Sequence, residues 1–172
     1  MQKLGIKYGI ICGLVYIVFG MANLLLGSSG QTSPVLPTLV GIGMFVATFF
    51  VIFYGIKDFR DNVNGGKLMV GEAVKLGTLI ALVGALLAGI FLLIYHYIID
   101  PEYMDRYMET MQEAWEESGM SDEQIEQTTK WTSMFKSPIL TAGFTIVWYC
   151  LWGLVKGLIS GAILKREPVP SV

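Results

Sequence analysis

The chain has 172 residues, 12 Lys+Arg against 14 Asp+Glu, 53% apolar and only 15% charged residues, and a mean hydropathy of +0.58. This composition excludes a disordered chain and disfavours a water-soluble globule. The charges are missing in blocks: 49 residues between Lys7 and Lys57, 24 between Lys75 and Asp100 that are neutral apart from His96, and 19 between Lys136 and Lys156. Together these blocks hold 92 of the 172 positions, so segments long enough to avoid water altogether must be sought first.

A bilayer core of about 30 Å needs about 20 apolar helical residues at about 1.5 Å rise each. The first block is therefore two spans, about 8–26 and 35–56, divided by a turn at Gly27-Ser28-Ser29-Gly30-Gln31-Thr32-Ser33-Pro34. A cleaved leader with Lys3 and Lys7 as its basic start fits less well. The apolar stretch from Tyr8 to Leu26 exceeds the roughly 7 to 15 residues of a leader core, and no small-x-small cleavage site follows it.

The loop after the second span carries Lys57, Asp58, Arg60 and Asp61, then the turn signal Asn64-Gly65-Gly66. Lys57 and Asp61 are four apart and positioned to pair, and Glu72 complements the helix dipole at the start of the next span. Gly65-Gly66 lacks the surroundings of a nucleotide-binding loop. A third span covers about 74–99 and a fourth about 139–164, because helices satisfy every backbone donor and acceptor within lipid.

Residues 100–137 are different: ten acids oppose Arg106, Lys130 and Lys136, for a net charge of −7. Asp100-Pro101 reads as a helix start, with Met104, Tyr107, Met108, Met111 and Trp115 at helical spacing and Ser118-Gly119 as the stop. Ser121-Asp122-Glu123-Gln124 is a capping box for a second helix through Ile125, Thr129, Trp131 and Phe135 to Pro138. The acidity reads first as a solvated face, with a cation or basic partner as the sharper alternative. The Met and aromatic stripe either packs the hairpin down or forms a docking surface. His96 and Asp100 are four apart and positioned to share a helix face at the outer end of the third span, where a divalent ion would also call on Glu102 or Asp105, but a metal site needs three or four convergent ligands. A lone His between Tyr95 and Tyr97 fits the aromatic belt at the lipid headgroups.

Small residues let helices approach in lipid, where hydrophobic burial does not drive association. Gly153, Gly157 and Gly161 form one such stripe on the fourth span, Gly77, Ala81, Ala85 and Gly89 another on the third, and Gly9 with Gly13 a shorter one on the first. Their partner is another helix of this chain or a second copy. Apart from Lys75 at the very start of the third span, Lys156 is the only charge within a predicted span. It is expected to snorkel to the nearer interface, in contact with Trp152 or paired with Glu72, Asp61 or Asp58. Cys12 and Cys150 lie at different depths and are read as packing residues rather than a disulfide.

Three stretches then stand together: Gly55-Ile56-Lys57-Asp58-Phe59-Arg60-Asp61 with Gly65-Gly66, Gly71-Glu72-Ala73-Val74-Lys75-Leu76-Gly77, and Gly119-Met120-Ser121-Asp122-Glu123-Gln124-Ile125-Glu126. In order and spacing, with Asp100-Pro101 and Lys165-Arg166, they resemble the bacterial family filed as domain of unknown function 4199. The resemblance implies a four-span inner-membrane protein and assigns no activity or catalytic residue.

The expectation is an all-α integral membrane protein forming one membrane domain over residues 1–172, with an extracytoplasmic helical hairpin between spans three and four. Nine Lys and Arg flank one side of the spans and three the other, which places both termini in the cytoplasm. The functional expectation is a non-enzymatic structural or partner-binding component of the cell envelope, with lipid and a second copy or an envelope protein as partners. Neither nucleic acid, a cofactor nor a metal is expected. The alternative is a subunit of an oligomeric transporter or channel, against which stands the absence of Asp and Glu from all four spans.

Overall fold

A computed structural model describes the backbone at 1–28 and 35–166. Six helices follow in order: α1 (Gln2–Ser28), α2 (Val35–Asp58), α3 (Val70–Ile94), α4 (Tyr103–Glu117), α5 (Asp122–Thr132) and α6 (Pro138–Leu164). Four of them, α1, α2, α3 and α6, are long and apolar enough to cross a membrane. Three extend beyond their predicted spans, α1 and α3 at the start and α2 at the end, because flanking polar residues such as Gln2 and Lys3, Gly71 and Glu72, or Lys57 and Asp58 continue the helix. The α6 helix adds only Pro138, and α3 stops as an α-helix at Ile94, short of the predicted 99. Of the predicted turn between the first two spans, 29–34 lie outside the described residues, and α1 runs on through Gly27 and Ser28.

The four long helices alternate in direction and close into a bundle in which α3 packs between α1 and α6, and α2 closes the far side against both. The α3 helix is the most buried of the four. Its inward residues, Ala73, Leu76, Gly77, Ile80, Ala81, Gly84, Ala85 and Ala88, recur at three and four and are mostly small, so its backbone can lie close to two neighbours. The outward surface is apolar too: Leu14, Val18, Leu25, Ile90, Val147 and Ile163 are all exposed.

At the end where α1 begins and α6 finishes, α2 passes into a π-helical turn, Phe59–Val63, that carries Arg60 inward. Arg60 binds both carboxylate oxygens of Asp61 (2.6 and 3.2 Å), and its Nη1 donates to the Leu164 carbonyl (3.3 Å), closing the last turn of α6. Asp61 therefore pairs with its neighbour rather than with Lys57, because the π turn changes the helical phase that an i,i+4 pair requires. Gly65 and Gly66 take φ of +61° and +77°, a left-handed reversal that a Cβ would strain. Leu68 then exchanges two backbone hydrogen bonds with Arg166 (3.0 and 3.1 Å). Glu72 closes this end by accepting from the Met69 N–H (2.9 Å) and Asn64 Nδ2 (3.1 Å).

At the opposite end α3 also passes into a π-helical turn, Tyr95–Ile99, where the Asp100 N–H reaches back to the Tyr95 carbonyl (2.8 Å). The next helix begins at Tyr103, two residues later than Asp100-Pro101 suggests. Asp100 ends the π turn and pairs with Arg106 (2.5 Å) instead of capping α4. The α4–α5 reversal sits at Gly119 (φ +78°), and Ser121 and Gln124 form the expected reciprocal cap. Gln112 donates to Thr129 between the two helices (3.3 Å), and Lys136 to Asp105 (3.0 Å) fastens the end of the hairpin to its beginning.

Candidate functional site

The small-residue stripes of α3 and α6 face one another within this chain. A Cβ built on Gly77 would lie 2.8 Å from Gly157 Cα, and one on Gly161 would lie 2.8 Å from Ala73 Cβ; Gly153 abuts Ala81. Gly89 faces Ile146, whose side chain stands in the space a larger residue would need, and Ala85 is fully buried. A second seam joins α1 to α3, with Gly9 and Gly13 set against Gly84: a Cβ on Gly84 would meet Gly13 N at 3.0 Å. Gly84 lies off the Gly77-Ala81-Ala85-Gly89 row, so a reading by single stripes passes over it. Because α3 has two neighbours it carries two rows of small residues, offset by three.

Lys156 sits on the α6 seam between Gly153 and Gly157, but its side chain enters the bundle and is only 2% exposed. Its Nζ donates to Thr48 Oγ1 (2.5 Å) and stands 4.5 Å from the centre of the Phe45 ring. The Thr48 hydroxyl in turn donates to the Met44 carbonyl (2.7 Å), so it is oriented to receive the amine. The snorkelling expectation is corrected. Side chains lean toward the N-terminus of their helix, and the N-terminus of α6 is at the far end of the bundle, so Lys156 points away from the nearer interface. The amine meets α2 at Thr48, about 15 Å of helix from Asp58.

The expected partners of Lys156 are occupied elsewhere. Asp58 accepts from Tyr8 (3.0 Å) and Asn62 (2.7 Å) and lies 3.7 Å from Lys7, while Trp152 packs edge-on against Phe45 instead of the amine. Sequence reasoning missed Thr48 and Phe45; the available signal was a threonine at the middle of an otherwise apolar helix with an aromatic ring three residues before it. Beyond the amine, Tyr16 of α1 stacks on Tyr149 of α6 (4.0 Å between centres, 13° between planes), and Cys12 and Cys150 are free thiols.

His96 also departs from expectation. The π turn rotates it out of the α-helical phase it would share with Asp100, and the ring lies inside the bundle, 5% exposed, leaving Tyr97 exposed on the outer surface. Its Nδ1 is 2.8 Å from the Leu92 carbonyl, its Nε2 has no partner, and Tyr95 and Tyr103 lie edge-on to it. Burial pushes the Tyr103 hydroxyl up to about 12, so it stays protonated at neutral pH. With Asp100 held by Arg106, the pair that a cation would need is not assembled. Among the described residues no three His, Cys, Asp or Glu side chains converge.

The hairpin orders its charges by face. On α4, Tyr103, Met104, Met111 and Trp115 are half-buried and Met108 is buried, while Glu109, Glu113, Glu116 and Glu117 are exposed. Apart from Tyr107, which is exposed, the Met and aromatic stripe therefore packs inward and leaves an acidic outer face. On α5 the Glu126–Lys130 pair (2.7 Å) holds the Glu126 carboxyl below its usual range.

Comparison with protein families matches residues 7–166 to the family described as "Protein of unknown function (DUF4199)". Neither the curated proteins nor the solved structures gave a match.

Proposed function

The chain belongs to the DUF4199 family, and from that premise we propose a non-enzymatic component of a bacterial inner membrane that presents an acidic hairpin to a partner in the cell envelope. The four long helices lie in the bilayer, which supplies the apolar surroundings their outward side chains require. Both termini are cytoplasmic. Removing the buried Lys156 from the charge count leaves eight Lys and Arg at the end with the termini against three in the hairpin.

The observation that carries this reading is the sorted hairpin: one face of α4 is committed to packing, and the other holds Glu109, Glu113, Glu116 and Glu117, none in an ion pair among the described residues, while Arg106 on that face is engaged by Asp100 and Glu102. Such a face steers and selects a partner with a basic surface. The test changes Glu109, Glu113, Glu116, Glu117 and Glu123 to Gln together and maps crosslinked neighbours in native membranes by mass spectrometry. Loss of a basic-surfaced neighbour, with bundle unfolding unchanged, is expected; an unaltered set of neighbours refutes the reading. Labelling of a Glu117→Cys variant by an impermeant thiol reagent checks the orientation, and protection in intact cells overturns it.

The buried Lys156, with no carboxylate beside it, favours a second reading, a subunit of an oligomeric transporter or channel. Flux through liposomes that Lys156→Met abolishes would support this reading over the first.

A further inference from the structure

Between the Tyr16–Tyr149 stack and the hairpin the four long helices line a half-open chamber of about 480 Å³, a size that suits small-molecule sites. Its walls come from α1, α2, α3 and α6, and α4 roofs it with Tyr103, Met104 and Tyr107. None of its lining residues is Asp, Glu, Lys or Arg, so an ionised occupant would find no counter-charge.

Two buried polar side chains in this wall lack hydrogen-bond partners. One is the hydroxyl of Tyr16, 2% exposed, which has the weakly hydrogen-bonding Cys12 thiol beside it and no better partner among the described residues. The other is His96 Nε2. Their neighbours are satisfied: Thr145 donates to the Thr141 carbonyl (2.8 Å), Asn23 to the Phe19 carbonyl (3.4 Å), and Tyr149 meets Met44 Sδ (3.8 Å). Buried polar groups are seldom left unpaired, and two in one apolar chamber mark a place for a ligand.

The geometry also fixes which kind of ligand. The Leu92 carbonyl can only accept, so Nδ1 carries the proton of the neutral ring and Nε2 offers a lone pair. Nε2 therefore calls for a donor, and Tyr16 can give or take a hydrogen bond. We propose that this chamber binds an uncharged, membrane-soluble molecule with a hydroxyl head and an apolar, ring-bearing body, its hydroxyl donating to His96 Nε2. The aromatic rings of Phe91, Tyr103 and Tyr149 line the space for the body. A ligand of this kind reaches the chamber by partitioning through the bilayer. This site is separate from the outer acidic face and does not depend on it.

The chain has a single histidine, so ¹⁵N imidazole resonances of the untagged protein report on this one site. The full chain in nanodiscs at about pH 8 is titrated with 2-naphthol and separately with 2-methoxynaphthalene, which keeps the body and lacks the donor. A saturable upfield movement of the Nε2 resonance with naphthol, and none with the methyl ether, is expected. Tyr16→Phe keeps the ring stack and is expected to weaken naphthol binding about tenfold, the effect of one lost hydrogen bond. An Nε2 resonance that ignores naphthol, or moves equally with both compounds, overturns the proposal and leaves the chamber as space for lipid chains.

Discussion

Alanine at Gly77 places a methyl group against the part of α6 that cannot yield. Its Cβ would lie 2.8 Å from Gly157 Cα and 3.3 Å from Gly153 O and Gly157 N, all of them backbone atoms. Ordinary contact begins at 3.4 Å, so the two helices must part locally by about 0.6 Å. A gap of roughly that size forfeits about a quarter to a half of each dispersion contact it opens, and overpacking of a tight interior costs about 1–3 kcal/mol. We therefore expect Gly77→Ala to lower the unfolding free energy by about 1–3 kcal/mol. Gly143→Ala, at a helical position of α6 where an added Cβ meets nothing within 4 Å, is the matched control. Both substitutions share the change in helix propensity, which favours alanine by about 1 kcal/mol in water, so their difference isolates the seam. Reversible unfolding by sodium dodecyl sulfate in mixed micelles, followed by fluorescence of Trp148 and Trp152, measures both. Equal stabilities for the two variants would refute close packing of α3 on α6.

Two further outcomes concern the polar groups inside the bundle and at its closed end. Thr48→Val removes the hydrogen-bond acceptor that the buried amine has among the described residues and is expected to cost about 1–3 kcal/mol in the same assay. Adding Lys156→Met to it should restore most of that loss, since replacing both partners leaves nothing unpaired; additive losses would show that the two side chains do not interact. Arg60→Ala deletes the link from α2 to the Leu164 carbonyl. Amide hydrogen exchange at Leu68 and Arg166 should then accelerate by about tenfold or more while α3 stays protected, and unchanged exchange there would show that Arg60 does not secure the terminus.

The four long helices and the acidic hairpin were legible in the chain because both depend on local composition. A charge-free run of helical length has one way to satisfy its backbone in lipid, and a capping box or a Ser-Gly stop acts within a few residues. The small-residue stripes were legible for the same reason, as rows at a fixed spacing on one helix. What each row meets was not, because that depends on how α3 is shared between two neighbours, and Gly84 gains its meaning only from Gly9 and Gly13 on α1.

The residues that tertiary structure alone placed are the polar ones. Lys156 is near the nearer end of α6 by count, yet its direction along the helix and the position of Thr48 on α2 draw it inward. His96 and Asp100 are four apart, yet a π turn separates their faces, sending one into a chamber and the other to Arg106. Sequence spacing gives side-chain direction only while the helix keeps a known phase, and partners from other helices enter only when the bundle closes. Long apolar runs and helix content are sums over neighbouring residues and were therefore present in the chain from the start. The pairing of buried polar groups is a property of several helices at once, and it came into being with their packing.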